Sequence, residues 1–231
     1  TGTSSVNAIS TAAGHQTLYA GGNSDAFLVK FNSAGVRQWG TYYGDIQSDQ
    51  GFSCSTDLSN NIYLAGRAGS TGSVLATPGG FQPSGNGSYL VKFDALGNRI
   101  WGTYYEADIN GCCTDPSGNV FITGYAYASS SVATSGAHQV AFSGMAPIVG
   151  GPDAFLAKFN SAGVRQWGTY YGGSTDERAA LSGCTTDSIG NVYLVGSTQT
   201  PSGTVISTPG SHQVLKGLTN LYNGFLVKFN N

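Results

Sequence analysis

The sequence predicts an all-β chain built from four-stranded antiparallel sheets that repeat along its length. Three observations support this fold class. Four short motifs recur in a fixed order, and the tryptophans at positions 39, 101 and 167 mark their period. Charged residues make up only 10% of the 231 residues, against about 25% in a typical soluble domain. The 35 glycines accompany 13 tyrosines and 11 phenylalanines, a composition typical of strands joined by tight turns.

The first two strands to be justified, here named C and D, form a predicted hairpin. Strand C is DAFLVKF, in which Phe27 and Val29 share one face and Leu28 and Lys30 share the other. Strand D is VRQWGTYYG, and the Gly-containing segment NSAG between them predicts the turn. The letters FNSAGVRQWGTYYG occupy 31–44 and return unchanged at 159–172. Such an identity predicts one structural unit used twice.

The other two strands, A and B, are also predicted to form a hairpin. They come from CSTDLSNNIYLAG at 54–66, CCTDPSGNVFITG at 112–124 and CTTDSIGNVYLVG at 184–196. In the middle copy Asp115 can accept hydrogen bonds from the backbone ahead of it, and Gly118-Asn119 tolerates positive φ. The pattern therefore predicts a turn between strand A, ending in TD, and strand B, ending in Gly.

Long segments rich in Ser, Thr, Gly and Pro separate strand B from the next strand C, and this composition predicts loops. Each contains a threonine-led motif: STAAGHQ at 10–16, ATPGGFQ at 76–82, ATSGAHQ at 133–139 and STPGSHQ at 207–213. The Thr-Pro-Gly form of the motif predicts one helical turn, with Thr as its cap and Pro at its first position.

Four short strands per repeat, joined by hairpins, are typical of the blades of a β-propeller. A single blade cannot bury its own faces, so neighbouring blades are expected to stack on one another. We predict one repeat domain, 1–231, with three full repeats at 1–67, 68–127 and 128–197 and a partial repeat at 198–231. Phe, Val and Trp are expected to fill the gaps between blades.

The unit DAFLVKFNSAGVRQWGTYYGG, followed by CxTDxxGNVYLxG, resembles the bacterial seven-bladed beta-propeller repeat (SBBP) family, particularly the versions in large secreted proteins of Bacteroidetes. The resemblance covers nearly the whole chain. It implies a propeller fold, an extracellular or cell-envelope location and a binding or scaffold role. It implies no catalytic residues, since the family has no catalytic motif to carry over.

The number of repeats falls below the 4–8 blades of a usual closed ring. Two explanations remain open: the chain is a piece of a longer array, or further chains complete a ring or filament. Residues 1–10 resemble the loop at 198–207, which favours the first explanation. In both cases open strand edges invite pairing with another chain, so we expect self-association.

Composition and charge disfavour several classes of function. The formal net charge of −2 offers no basic excess for nucleic acid. No apolar run approaches the roughly 20 residues of a membrane helix. The sequence has no G-x-S-x-G elbow, and its two glutamates, Glu106 and Glu177, lie in unrelated contexts. We predict no catalytic, cofactor-binding or metal-binding residues.

Four cysteines and three aspartates fall at related positions. Cys54, Cys112 and Cys184 each precede an Asp by three residues and are predicted to be small buried core residues. Cys113 should face away from Cys112 and is the candidate reactive thiol. The aspartates and the asparagines four residues after them could suggest calcium, but one carboxylate per turn is too few, so a hydrogen-bonded turn is favoured. The aspartates are Asp57, Asp115 and Asp187.

The threonine-led loops share one aromatic position, filled by His15, Phe81, His138 and His212. Because Phe cannot bind a metal or move a proton, this position is predicted to serve packing.

The tyrosine pairs of strand D are the candidate ligand contacts, because one of two adjacent residues in a strand should face outward and Tyr suits recognition. The candidates are Tyr42, Tyr104 and Tyr170. The function favoured by the sequence is a non-enzymatic, secreted or cell-surface adhesin or protein-interaction scaffold. A carbohydrate-binding propeller that uses these tyrosines and a self-assembling filament or array remain as alternatives.

Overall fold

The computed structural model describes residues 1–127, 130–144, 151–200, 206–216 and 221–230. These residues form fourteen strands in four separate antiparallel sheets, each with its strands in chain order. Sheet 1 contains β1 (Gly2–Ser4), β2 (Asp25–Phe31) and β3 (Arg37–Tyr43). Sheet 2 contains β4 (Gln50–Thr56), β5 (Ile62–Gly72), β6 (Gly85–Phe93) and β7 (Arg99–Tyr105). Sheet 3 contains β8 (Asp108–Thr114), β9 (Val120–Ala126), β10 (Asp153–Phe159) and β11 (Arg165–Tyr171). Sheet 4 contains β12 (Glu177–Thr186), β13 (Val192–Thr198) and β14 (Asn223–Phe229).

The order A–B–C–D predicted from the motifs is confirmed in sheets 2 and 3. Two of the four sheets have four strands and the outer two have three. In sheet 1, β1 pairs with β2 over three residues only. Sequence repeats and sheets also divide the chain at different points: position 67 lies inside β5.

The predicted helical turn in the long loops is a β-turn. The backbone N–H of Gly80 donates to the carbonyl of Thr77 at 3.0 Å, and Gly14 donates to Thr11 at 2.9 Å. No helix follows either turn in the described residues. The threonine therefore begins a tight reversal that sends the loop back along strand D.

The hydrophobic cores lie between sheets, as predicted for blades that cannot bury their own faces. Trp39 and Tyr43 of sheet 1 meet Leu64 and Phe93 of sheet 2 in one core. A second core joins sheets 2 and 3, and two smaller clusters join sheets 3 and 4. The first strands of successive sheets are neighbours, since Thr114 Oγ1 donates to the carbonyl of Thr56 at 2.7 Å.

Candidate functional site

Residues that recur in the C–D hairpins hold neighbouring sheets together. The indole N–H of Trp39 and the ammonium group of Lys30 both donate to the carbonyl of Ala95 in the next hairpin turn, each at 3.1 Å. The Trp39 ring also lies against Gly97, where an added Cβ would come within 3.1 Å of it. Gly97 has φ of 88°, so this turn favours glycine on two grounds.

The same arrangement joins sheets 2 and 3. Trp101 and Lys92 donate to the carbonyl of Ser161 at 3.1 and 3.0 Å, and Gly163 faces the Trp101 ring. The first copy of the fourteen residues thus contributes the tryptophan side of the contact, and the second copy contributes the turn side. The lysine head is buried with Asp57, whose carboxylate lies 3.7 Å from Lys92 Nζ.

A second repeated contact links each long loop to strand D of its own sheet. In sheet 1, Thr11 N–H donates to the carbonyl of Gly40 at 2.9 Å and Gln16 N–H donates to Thr41 Oγ1 at 2.8 Å. The N–H of Tyr42 returns a bond to the carbonyl of Gln16 at 3.0 Å. Equivalent bonds hold β7 through Thr77 and Gln82 and β11 through Thr134 and Gln139. We call these three bonds the loop clamp.

The expectation that one tyrosine of each pair faces outward is wrong, because both faces of strand D are covered. Tyr42, Tyr104 and Tyr170 are buried, and each bonds to the long loop of its own sheet: the phenol oxygen of Tyr42 accepts from Ile9 N–H at 3.0 Å. The second tyrosine points the other way, and Tyr43 donates to the carbonyl of Leu75 in the next sheet. A sugar or protein ligand could reach these rings only if the loops moved away.

The cysteines occupy different environments. Cys112 is buried between sheets 2 and 3, and burial raises the pKa of its thiol to about 12. Cys113 lies on the opposite face, as predicted, in the cluster shared with sheet 4. However, the Cys113 side chain is buried, which makes it a poor reactive thiol, whereas Cys54 is exposed. Cys184 is hydrogen-bonded with Cys113, and this bond, together with burial, raises the pKa of Cys184.

The Asp–Asn turns are hydrogen-bonded turns, as predicted. Asp115 Oδ1 accepts from the N–H groups of Ser117 and Asn119 at 2.9 Å, and its Oδ2 accepts from Asn119 Nδ2 at 2.7 Å. At Asp57, burial favours a higher pKa, but the bonds from Asn61 and the nearby Lys92 ammonium lower the pKa on balance. Backbone and amide groups therefore occupy the carboxylate oxygens that a calcium ion would need.

The shared aromatic position of the loops serves packing, as predicted. The His15 ring lies 6.1 Å from Tyr43 and 5.9 Å from Phe93 of the next sheet. Phe81 makes the same pair of contacts with Tyr105 and Phe159. Burial, with a smaller effect of the Arg99 charge, lowers the pKa of His15.

Two buried carboxylate pairs were not predicted from the sequence. Asp25 and Asp49 are fully buried on either side of Gly44: an added Cβ there would lie 2.8 Å from Asp25 Oδ1 and 2.9 Å from Asp49 Oδ2. Burial raises the pKa of Asp49 to about 6. The second pair, Asp153 and Glu177, repeats this between sheets 3 and 4, and burial raises the pKa of Asp153 to about 6.

These carboxylates hold loops. Asp25 Oδ2 accepts from Gln16 Nε2 and from Ala20 N–H, both at 2.8 Å. Its other oxygen is buried without a hydrogen-bond partner among the described residues. The sequence signal for the pairs is weak, because a bulge in strand A changes the spacing between the acidic residue and the cysteine.

An open groove of about 650 Å³ lies beside the first pair, where the loop after β3 meets the loop after β5. Asp45, Gln47 and Gly69 line it, and two exposed apolar side chains, Ile46 and Val74, stand at its edge. These loops differ in sequence from their counterparts in the other repeats. The groove is therefore a concave surface at which two variable loops of the chain meet.

Repeated four-stranded antiparallel sheets that pack face to face are the arrangement of propeller blades. No family model matches this chain. A comparison with curated proteins finds an uncharacterized WD repeat-containing protein of Acanthamoeba polyphaga mimivirus, 24% identical over 222 residues. The match covers 83% of this chain and 16% of the length of that relative. Among the described residues, no helix has the length and apolar character required to cross a membrane.

Proposed function

We propose that this chain is a non-enzymatic protein-interaction scaffold of the propeller type, acting in a secreted or cell-surface setting as an adhesion module. The coarse part of the proposal, a repeat scaffold for protein partners, is supported by the similarity to a WD repeat-containing protein and by the stacked four-stranded sheets. The secreted setting and the closed or extended propeller rest on the resemblance to the SBBP repeats.

One observation carries the proposal: the repeated residues make contacts that hold the sheets together, while side chains of the variable loops remain exposed. Trp39, Lys30 and Tyr43 all bond to the neighbouring sheet. By contrast, Ile46 is 74% exposed and Val74 is 60% exposed at the edge of the groove. Exposed apolar side chains around a concave surface on a rigid frame are typical of a protein-binding site.

A non-enzymatic role is supported by the hydrogen bonds of the buried acidic side chains, which bind the backbone of loops. Asp25 and Asp153 fix loop backbones, and Glu177 accepts from the N–H groups of Gly173 and Thr200 at 2.7 and 3.0 Å. Glu106 accepts from Ser131 N–H in another part of the chain. The two glutamates therefore hold separate loops, and no shared substrate position between them is supported.

Photocrosslinking tests the proposal. A photoreactive amino acid replaces Ile46 or Val74 in cells of the source organism, and Leu58, which is 82% exposed at the opposite end of the strands, provides the matched control. We expect discrete protein adducts from positions 46 and 74 and none from position 58. Equal labelling from all three positions, or no adduct from the groove, would contradict the proposal.

A further inference from the structure

Two cysteines from different sheets share the apolar gap between sheets 3 and 4. Cys113 lies in β8 and Cys184 lies in β12, the first strands of these two sheets. The strands are direct neighbours, since Thr186 Oγ1 donates to the carbonyl of Thr114 at 2.7 Å. Cys113 is buried in the cluster that joins the two sheets, and Cys184 is partly buried against the same cluster. The two thiols therefore approach each other from separate sheets.

The strand register shows how the two sulfur atoms come together. Cys113 is opposite Phe121 in the pairing of β8 with β9. Cys184 Sγ lies 4.0 Å from the carbonyl oxygen of Phe121, so it reaches across the gap to the residue beside Cys113. The two thiols are hydrogen-bonded to each other, and both are in the reduced form in this structure. Two cysteine side chains that converge in this way are the arrangement that a disulfide requires.

The equivalent gap between sheets 2 and 3 provides an internal comparison. There Cys112 Sγ lies 4.0 Å from the carbonyl oxygen of Tyr63, and Tyr63 is opposite Ser55 in the strand pairing. Cys112 thus has the position that Cys184 has in the next gap, while Ser55 has the position of Cys113. Of these two gaps, the one between sheets 3 and 4 therefore places a thiol on both sides.

We propose that Cys113 and Cys184 form a disulfide site, at which a small disulfide donor of the glutathione type links sheets 3 and 4 covalently. Disulfides of this kind persist in oxidising compartments, which fits the secreted or cell-surface setting of the proposed function. The inference goes beyond the scaffold function and does not depend on it, because the bond requires only the two cysteines and the donor.

Cys184 is the expected entry point, because its side chain is partly exposed whereas Cys113 is buried. The Cys184 thiolate attacks one sulfur of glutathione disulfide, which forms a mixed disulfide and releases one glutathione. The Cys113 thiolate then attacks the Cys184 sulfur and releases the second glutathione. The two protein thiols lose two electrons and two protons, and glutathione disulfide gains them as it becomes two glutathione thiols.

The bond would have a measurable effect on stability. It would close a loop that contains β9, β10 and β11, and a crosslink that closes a long loop stabilises a protein mainly by restricting the unfolded chain. We expect oxidation to raise the midpoint of urea unfolding by roughly 1 M.

The test incubates the folded 231-residue protein with excess glutathione disulfide, blocks the remaining thiols with iodoacetamide and digests the protein without reduction. Mass spectrometry should find the peptides of Cys113 and Cys184 joined, with the loss of two hydrogen atoms. Cys184→Ser should abolish both the bond and the rise in the urea midpoint. Cys112→Ser is the matched control and should retain both, because Cys112 neighbours Cys113 in sequence but faces sheet 2.

Measurements on the reduced proteins separate loss of the bond from loss of the fold. Without glutathione disulfide, Cys184→Ser and the wild type should unfold at similar urea concentrations. If the reduced variant has already unfolded, Cys113→Ser replaces it in the comparison, since either substitution removes one half of the bond.

Four outcomes would overturn the inference: both thiols blocked by iodoacetamide, a bond between another pair of cysteines, a bond that forms only in urea, or a bond without a rise in the midpoint. Photocrosslinking from Ile46 reports on a different part of the molecule. Failure of the disulfide with success of that crosslink would reject the disulfide site and leave the scaffold function standing.

Discussion

At the scale of single residues, the tyrosines of strand D that look suited to ligand recognition are buried in contacts that hold the fold together. Adjacent strand residues point to opposite faces, so one tyrosine of each pair was expected in solvent. In this molecule the long loop covers one face of strand D and the next sheet covers the other, so both tyrosines are buried. Period-two alternation indicates which residues share a face, but it cannot indicate that both faces are covered.

The cysteines provide a prediction at this scale. Reaction with iodoacetamide at pH 7.5 should modify Cys54 first, because its side chain is exposed. Cys112 should react slowly, since burial blocks access and raises its pKa to about 12, leaving little thiolate. Mass spectrometry of timed digests measures the four rates, and protein unfolded in urea provides the control in which all four react. Faster modification of Cys113 than of Cys54 would restore Cys113 as the reactive thiol.

At the scale of elements, the strands follow the motifs closely because each motif carries its own turn. The TDPSGN turn separates β8 from β9 through the side chain of Asp115, and the NSAG turn separates β10 from β11. Bulges were not predicted. The register shifts after Lys30, Lys92 and Lys158 lie within the C–D hairpins, where one residue of strand D is left unopposed, and period-two alternation does not indicate such an extra residue.

The glycine of WGTYY provides a prediction for one element. In Gly102→Ala the new Cβ would lie 2.4 Å from the carbonyl of Leu75, so the loop clamp of sheet 2 must shift. We expect a loss of about 1–3 kcal/mol in the free energy of unfolding, the usual cost of overpacking. Gly72→Ala is the matched control, because no atom lies within 4 Å of its added Cβ. Urea unfolding measures both, and equal effects would argue against the clamp.

At the scale of the whole molecule, the sequence indicates how the sheets stack and the strand order of sheets 2 and 3. Trp, Phe and Val at repeated positions predicted cores between sheets, and the structure confirms them. The carboxylate pairs between sheets escaped prediction because Asp25 belongs to sheet 1 and Asp49 directly precedes sheet 2, so the two meet only when the sheets are in place. The two pairs also differ in residue type, since Glu177 in the second pair occupies the place of Asp49 in the first.

These carboxylates predict how stability depends on pH. The pKa of Asp153 is about 6 when folded, above its value in the unfolded chain, so the folded state holds more protons between about pH 4 and 6. This contribution is fully present below the unfolded pKa and is lost as pH rises through 6. The lowered pKa of His15 acts in the opposite direction, so the comparison must be with a variant.

The stability advantage of the wild type over Asp153→Asn should therefore be larger at pH 4.5 than at pH 7.5. Chemical unfolding of both proteins at the two pH values measures this difference, to which His15 contributes equally in each protein. An advantage that grew with pH would mean that Asp153 is stabilised as a carboxylate.

The central claim is that each repeat packs face to face on the next through its tryptophan and the following hairpin turn. Nuclear Overhauser effects from the indole protons of Trp39 and Trp101 test it most directly. We predict contacts with the α-protons of Gly97 and Gly163 respectively, because those rings lie against these two glycines. Indole contacts confined to the tryptophan's own hairpin, Trp101 with Gly97 for example, would contradict the stacking of the sheets.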